Sequence, residues 1–67
     1  MQYVNVHKQY RVKQTGTVLV CEIRNGYCDM MWRVEDNGTR SPYARGSAAQ
    51  YEYNRLLPVM EEIRKEG

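Results

Sequence analysis

Polar and apolar residues alternate along most of the first half of the chain, with the period of two that is typical of half-buried β-strands. The alternation predicts three strands, which span Tyr3–Lys13, Thr17–Arg24 and Tyr27–Asp36. Two dipeptides interrupt the alternation after the second and third predicted strands, Asn25-Gly26 and Asn37-Gly38. Asn-Gly favours the type I′ turn, whose twist suits paired antiparallel strands. We therefore expect an antiparallel β-meander of three long strands, and a short edge strand that contains Pro42.

After Gly46 the apolar period changes to that of a helix. The apolar residues then recur at spacings of three and four, at Ala49, Tyr53, Leu56, Met60 and Ile63. This stripe predicts one C-terminal helix from Ser47, the expected N-cap, to about Lys65. Pro58 would either kink that helix or divide it into two. The fold class predicted is α+β, as a single small domain over residues 1–67 with the helix packed on one sheet face.

A two-residue loop at Asn25-Gly26 fixes which side chains share a face of the predicted sheet. The face under the helix is expected to hold Leu19, Cys21, Ile23, Cys28, Met30, Trp32 and Val34. The opposite, open face would have Val18, Val20 and Met31 at its centre, with Arg11, Arg24, Tyr27 and Arg33 around them. Such an apolar centre with an Arg and Tyr rim is typical of an interface core. Strand propensity alone explains the two valines equally well.

The length and composition of the chain limit the interactions that could stabilise its fold. The chain has 67 residues, a formal net charge of +2, and no Phe for its core. Domains of this size are marginally stable without disulfides, metals or partner chains. Cys21 and Cys28 are diagonal neighbours in the predicted register, so we expect two free, buried thiols and no disulfide. Self-association would be one alternative source of stability.

The residues that carry catalysis or bind metals in other proteins are sparse in this chain. The first loop is either Gln14-Thr15 or Thr15-Gly16, and the first choice sets His7 opposite Glu22. This single histidine and the two cysteines are too few ligands for a zinc site. The chain has no nucleophile–base–orienter pattern and no Gly-rich phosphate loop. We therefore expect a protein that is not an enzyme and has no cofactor and no metal. It also lacks a signal-peptide pattern and a long apolar run, so the expected location is cytoplasmic.

The interpretation we favour from the sequence is a small protein-binding module. Its predicted binding residues are Arg11, Val18, Val20, Arg24, Tyr27, Met31, Arg33 and Arg40, with Tyr51 and Arg55 on the helix exterior as a second surface. The alternative is a DNA- or RNA-binding domain that uses the same arginines on the open face. Glu22, Asp29 and Glu35 would share that face and repel phosphate, which weakens the alternative.

Residues 34–57, VEDNGTRSPYARGSAAQYEYNRLL, resemble the second half of phage- and prophage-encoded Lar-like restriction alleviation proteins. The residues that follow the order of that family are Gly38, Arg40, Pro42, Ala44, Ser47, Asn54 and Arg55. The paired zinc cysteines of the family are missing, and Glu35, Asp36 and Gly38 occupy the region of the second pair. The resemblance implies an accessory protein of a phage or mobile element. Such a protein would bind a host defence or nucleic-acid-processing enzyme and modulate or inhibit it.

Overall fold

The computed structural model describes residues 5–63, which form one antiparallel sheet and one helix. The strands are β1 (Asn5–Val12), β2 (Val18–Arg24), β3 (Tyr27–Val34), β4 (Arg40–Arg45) and β5 (Met60–Ile63). The helix α1 (Ser47–Leu56) and a 3₁₀ turn over Leu57–Val59 connect β4 to β5. The strand order is β4-β3-β2-β1-β5. This confirms the α+β prediction, the meander and β4 as an edge strand. The fifth strand was not predicted, and Tyr3, Val4 and residues 64–65 of the predicted elements lie outside the described range.

The hairpin of β1 and β2 has the register predicted for a loop centred on Gln14-Thr15. Arg11 lies opposite Val18, and His7 lies opposite Glu22. The Val12 N–H donates to the Thr17 carbonyl over 2.8 Å and closes the loop. The first two strands therefore have the faces that the alternation predicts.

The hairpin of β2 and β3 begins as predicted and then departs from it. Asn25 and Gly26 have φ angles of 53° and 79°, the two positive values that a type I′ turn requires. Ile23 faces Cys28, but Glu22 faces Met30, so Asp29 is the extra residue of a β-bulge. Beyond a one-residue shift, every side chain of a strand changes face.

The bulge corrects the predicted faces of β3. Met31 lies opposite Cys21 in the core, and Trp32 lies opposite Val20 on the other face. Met30 and Val34 likewise lie on the open face, opposite Glu22 and Val18. The prediction was therefore wrong for Met31 as an open-face residue, and for Met30, Trp32 and Val34 as residues under the helix.

Contacts from the start of the helix hold the bulge. The Gly46 N–H donates to the Asp29 carbonyl over 2.8 Å. The Cys28 N–H donates to Gln50 Oε1 over 2.6 Å, so a helix side chain supplies an acceptor for this strand amide. These partners come from later in the chain, which is why the local pattern of β3 gives no sign of the shift.

The second Asn-Gly dipeptide forms a different turn from the first. The Glu35 N–H donates to the Thr39 carbonyl and the Gly38 N–H donates to the Glu35 carbonyl, over 2.8 and 2.9 Å. Gly38 has a φ of 88°, whereas Asn37 is not among the residues with positive φ. This is a three-residue loop, a type I turn that ends in a left-handed glycine. Arg40 consequently lies opposite Val34 and not opposite Glu35, as the two-residue loop predicted.

The predicted helix is correct only as far as Leu56. Gly46, with a φ of 63°, takes the N-cap position in place of Ser47, which is the first helical residue. Pro58 lies in the 3₁₀ turn, and the chain then extends to pair with β1, placing Met60 opposite Val12. The outer edge of β1 offers unpaired backbone groups, and satisfying them favours a strand over continued helix. Met60 is still buried, as its position in the apolar stripe predicts.

The core lies between the sheet and α1. Its buried members are Tyr10, Val12, Leu19, Cys21, Cys28, Met31, Ala49, Leu56 and Met60. The Tyr10 and Tyr53 hydroxyls lie 3.0 Å apart, which pairs the buried phenol with a helix residue. In the part of the chain that the structure describes, no helix has the length and apolar character to cross a membrane.

Candidate interaction surface

The sheet face opposite α1, here called the open face, carries a continuous apolar surface. Strand register places its apolar side chains on three strands: Val18 and Val20 of β2, Met30, Trp32 and Val34 of β3, and Ile63 of β5, which Gln9 of β1 separates from Val20. No element of residues 5–63 packs over them, because α1 lies against the other face. Except for Val20, these side chains are only partly buried.

Trp32 occupies the centre of the open face. It lies directly opposite Val20, which is 0% exposed although no helix covers it. The Trp32 indole meets the His7 imidazole edge-on, with ring centroids 5.8 Å apart and planes at 87°. His7 is in β1 and Trp32 in β3, so the two rings meet across β2 and shield Val20 from water. Trp32 therefore packs against His7 and remains partly exposed.

Basic and acidic side chains border the apolar surface and pair with one another. His7 Nε2 lies 3.5 Å from a Glu22 oxygen, and Arg11 Nη1 lies 3.4 Å from a Glu61 oxygen. His7, Arg11 and Glu61 are about half exposed and Glu22 less so, and pairs that water reaches contribute little to stability. Arg40 and Arg45 lie on the β4 edge of the same face, where none of the acidic groups described within residues 5–63 forms an ion pair with them.

The structure gathers six of the eight predicted binding residues on the open face: Arg11, Val18, Val20, Arg24, Tyr27 and Arg40. Met31 is 0% exposed in the core. Arg33 lies opposite Leu19, on the face that carries the helix. There Arg33 pairs with Glu35 over 3.1 Å, which raises the pKa of the guanidinium and lowers that of the carboxyl group. Both residues therefore leave the predicted surface.

Sequence reasoning missed Trp32, Met30, Val34, Ile63 and Arg45 as members of the open face. The only local signal in β3 is the short polar interruption at Asp29, which does not by itself indicate a bulge. Ile63 was missed because β5 was predicted as helix. The corrected face is more apolar than the predicted one.

Tyr51 and Arg55 form a separate surface on the helix, away from the open face. Tyr51 is 66% exposed, the largest value among the exposed large hydrophobic residues. Arg55 binds Glu52, and Glu52 also accepts from the Tyr43 hydroxyl over 3.2 Å. The Arg55 guanidinium lowers the pKa of Glu52. The helix exterior thus has an ordered polar network and one exposed ring, but no apolar patch that compares with the open face.

The described residues contain no arrangement suited to metal binding or nucleophilic chemistry. No group of three or more His, Cys, Asp or Glu side chains lies close enough to hold a metal ion within residues 5–63. Cys21 and Cys28 are free and buried, as predicted. Burial raises the pKa of Cys21 to about 12 and also raises that of Cys28. Thiols held protonated in this way are poor nucleophiles.

Comparisons of the chain with protein-family models, with curated proteins and with solved structures find no significant match.

Proposed function

We propose that this protein is a small non-catalytic binding module that recognises another protein through its open face. The observation that carries the proposal is the central Trp32, surrounded by Val18, Met30 and Val34 on a face that α1 leaves uncovered. Tryptophan, tyrosine and arginine are the residues that most often dominate binding energy at protein interfaces. The open face provides all three types, with Tyr27, Arg24 and Arg11 outside the apolar centre.

The contacts around Trp32 support the same proposal. Trp32 is held by its contact with His7 and by packing on Val20, and the strand beneath it is paired on both sides. A preformed apolar platform loses little side-chain entropy on binding, which leaves more of the contact energy for affinity.

The resemblance of residues 34–57 supports a narrower form of the proposal. In that form, the chain is a phage or mobile-element protein that acts in the bacterial cytoplasm by modulating a host defence or nucleic-acid-processing enzyme. Modulation of this kind requires an interface but no catalytic residues. The apolar centre of the open face, with arginine and tyrosine around it, could provide that interface.

The test is affinity capture from bacterial lysate with three versions of the chain: wild type, Val18→Lys and Tyr51→Lys. Val18 is a partly buried residue of the open face, and Tyr51 is the matched position on the helix exterior. A lysine on the open face places an unpaired charge in the interface, so we expect Val18→Lys to lose the captured protein. Tyr51→Lys should retain it. Unchanged melting temperatures must accompany both results.

The opposite outcome would indicate that binding occurs on the helix exterior and not on the open face. Capture that survives Val18→Lys but is lost with Tyr51→Lys would exclude the open face and favour the surface of Tyr51 and Arg55. Capture that neither substitution affects would exclude both predicted surfaces.

Nucleic-acid binding is the second candidate, and the placement of Trp32 favours it. Exposed aromatic rings on an open sheet, with arginines beside them, stack on unpaired bases in several single-strand binding folds. Arg11, Arg40 and Arg45 share the face with Trp32, as do Glu22 and Glu61, whereas Glu35 pairs with Arg33 and Ser41 on the other face. Nuclease treatment of the lysate distinguishes the candidates. Loss of capture after nuclease, together with steep salt dependence, would favour nucleic acid over protein.

A further inference from the structure

We infer that the open face binds a second copy of this chain, face to face, about a two-fold axis that runs along β2. The inference rests on the proposed function, because it names an occupant of the same surface.

The two edges of the open face carry opposite charges at the same height along the strands. Strand pairing places one row of side chains across the sheet: Glu61, Arg11, Val18, Val34 and Arg40. Glu61 stands at the β5 edge and Arg40 at the β4 edge. Val18, in the middle strand, is the centre of the row.

A two-fold axis along β2 places each edge of the sheet over the other edge of the second copy, at the same height. Glu61 of each copy then faces Arg40 of the other, which gives two ion pairs per dimer. Val20 stands near the axis, and Trp32 lies over Gln9 in the second copy. Sheets that pack face to face keep their strands within about 30° of each other, so the arginine side chain still reaches its partner.

The alternative two-fold axis, perpendicular to the strands, is unfavourable. It would lay β4 on β4 and bring Arg40 of one copy towards Arg45 of the other. Both arginines lie on the open face of β4, and neither has a described acidic partner within residues 5–63. The charges at the β4 and β5 edges therefore favour the axis along β2, although this axis brings Glu22 and Arg24 of β2 close to the same residues of the second copy.

The area of the open face suits a partner of identical dimensions. Five strands about 4.8 Å apart span roughly 24 Å, and β1 to β4, with six to eight residues each, are about 20–26 Å long. The projected area is therefore about 500 Å², before side-chain relief is added. Stable interfaces bury roughly 800 Å² of accessible surface per partner. A stable interface would therefore have to bury the whole open face, and a second sheet of the same size can cover all of it.

Charge reversal provides the test, with dimer dissociation measured by analytical ultracentrifugation of the full chain. Arg40→Glu and Glu61→Arg each replace two attractions by two repulsions. Each should weaken the dimer by about tenfold or more, since the two lost pairs contribute about 0.2–1 kcal/mol each, two repulsions are added, and about 1.4 kcal/mol is tenfold. An equimolar mixture of the two variants restores both attractions and should recover wild-type affinity as a mixed dimer. Glu62→Arg, on the same strand but opposite Tyr10 on the other face, is the matched control and should leave affinity unchanged.

A second variant covers the possibility that Glu61→Arg disturbs the fold through its contact with Arg11. Glu22 lies beside the proposed axis, so the two copies would bring like charges together there. Glu22→Gln should therefore tighten the dimer, whereas an unchanged or weaker dimer would contradict the position of the axis.

Other outcomes separate this inference from the proposed function. A chain that stays monomeric up to about 1 mM would overturn the dimer. So would a dimer that neither charge reversal weakens, or one that the mixture does not restore. If the chain is monomeric but Val18→Lys still abolishes capture of another protein, the dimer fails and the proposed function stands. If the charge-swap results hold and no other protein is captured, self-association remains and the host-partner form of the proposal fails.

Discussion

The two faces of the sheet are both apolar, but they are stabilised in different ways. On the covered face, Leu19, Cys21, Cys28 and Met31 are at most 1% exposed, because α1 packs against them. Among the open-face side chains that the structure describes, only Val20 reaches that level, and the rings of His7 and Trp32 meet over its strand. The difference shows that apolar composition does not identify the core of a small sheet. The position of one bulge decides which of two adjacent methionines is buried in the core and which is partly exposed on the open face.

Alanine substitution at Met31 should have the largest effect on the free energy of unfolding. The same substitution at the adjacent Met30 tests the difference between the two faces directly. Met31→Ala removes a fully buried side chain and leaves a cavity, which should cost roughly 2–5 kcal/mol. Met30→Ala removes a partly exposed side chain and should cost only about 1 kcal/mol. Urea unfolding of the two variants measures both free energies. Equal losses would mean that the bulge does not separate the two residues.

Alkaline pH should weaken the covered face by a smaller amount. Burial raises the pKa of Cys21 from its ordinary 9.0 to about 12, and burial together with Tyr53 raises that of Tyr10. Between about pH 9 and about pH 12, the Cys21 thiol loses its proton in the unfolded chain but keeps it in the folded chain. The stabilising contribution is therefore complete below about pH 9 and declines as pH rises towards about 12. We expect the urea midpoint to fall between about pH 8 and about pH 10.5.

The variant Cys21→Ala assigns this decline to the buried thiol. Its midpoint will be lower at every pH, but it should fall less steeply with pH than that of the wild type, because one of the groups that cause the decline is absent. A variant that keeps the wild-type slope would assign the pH dependence to other groups.

The smallest expected effect concerns the bulge itself. Gln50→Ala leaves the Cys28 N–H without its side-chain acceptor, which should cost about 1–3 kcal/mol if water does not replace it. Gln50→Glu keeps an oxygen at the same place and should cost less. Asn54→Ala is the control, because it removes only the second contact of Gln50. Amide hydrogen exchange at Cys28 should accelerate in Gln50→Ala but not in Asn54→Ala. Unchanged protection at Cys28 would exclude Gln50 as the anchor of the bulge.

Features set by short-range geometry could be predicted from the sequence. The turn at Asn25-Gly26, the alternation along β1 and β2, and the buried free thiols all depend on neighbouring residues. Six of the eight predicted binding residues lie on the open face because they belong to those strands, to the turn-proximal end of β3, or to β4. Met31 and Arg33 could not be placed, since the bulge at Asp29 depends on contacts with Gly46 and Gln50, which are distant in sequence.

The prediction of helix beyond Leu56 was wrong for a related reason. The spacing of Leu56, Met60 and Ile63 suits a helix, and nothing in it indicates that β1 has an unpaired edge. Only the assembled sheet offers the hydrogen bonds that extend Met60–Ile63 into a strand. Ile63 therefore joins the open face, where a helix would have placed it under the sheet.

The pairing of β5 with β1 also implies an order of events during folding. Three hairpins join strands that follow one another along the chain, whereas Arg11 and Glu61 are 50 residues apart in sequence when they meet. Contacts between distant residues form late, because closing the intervening loop costs more entropy. The meander should therefore assemble first and present the outer edge of β1 unpaired for a time. Until β5 arrives, that edge is a template for strands of other molecules, so slow closure would expose the folding chain to aggregation.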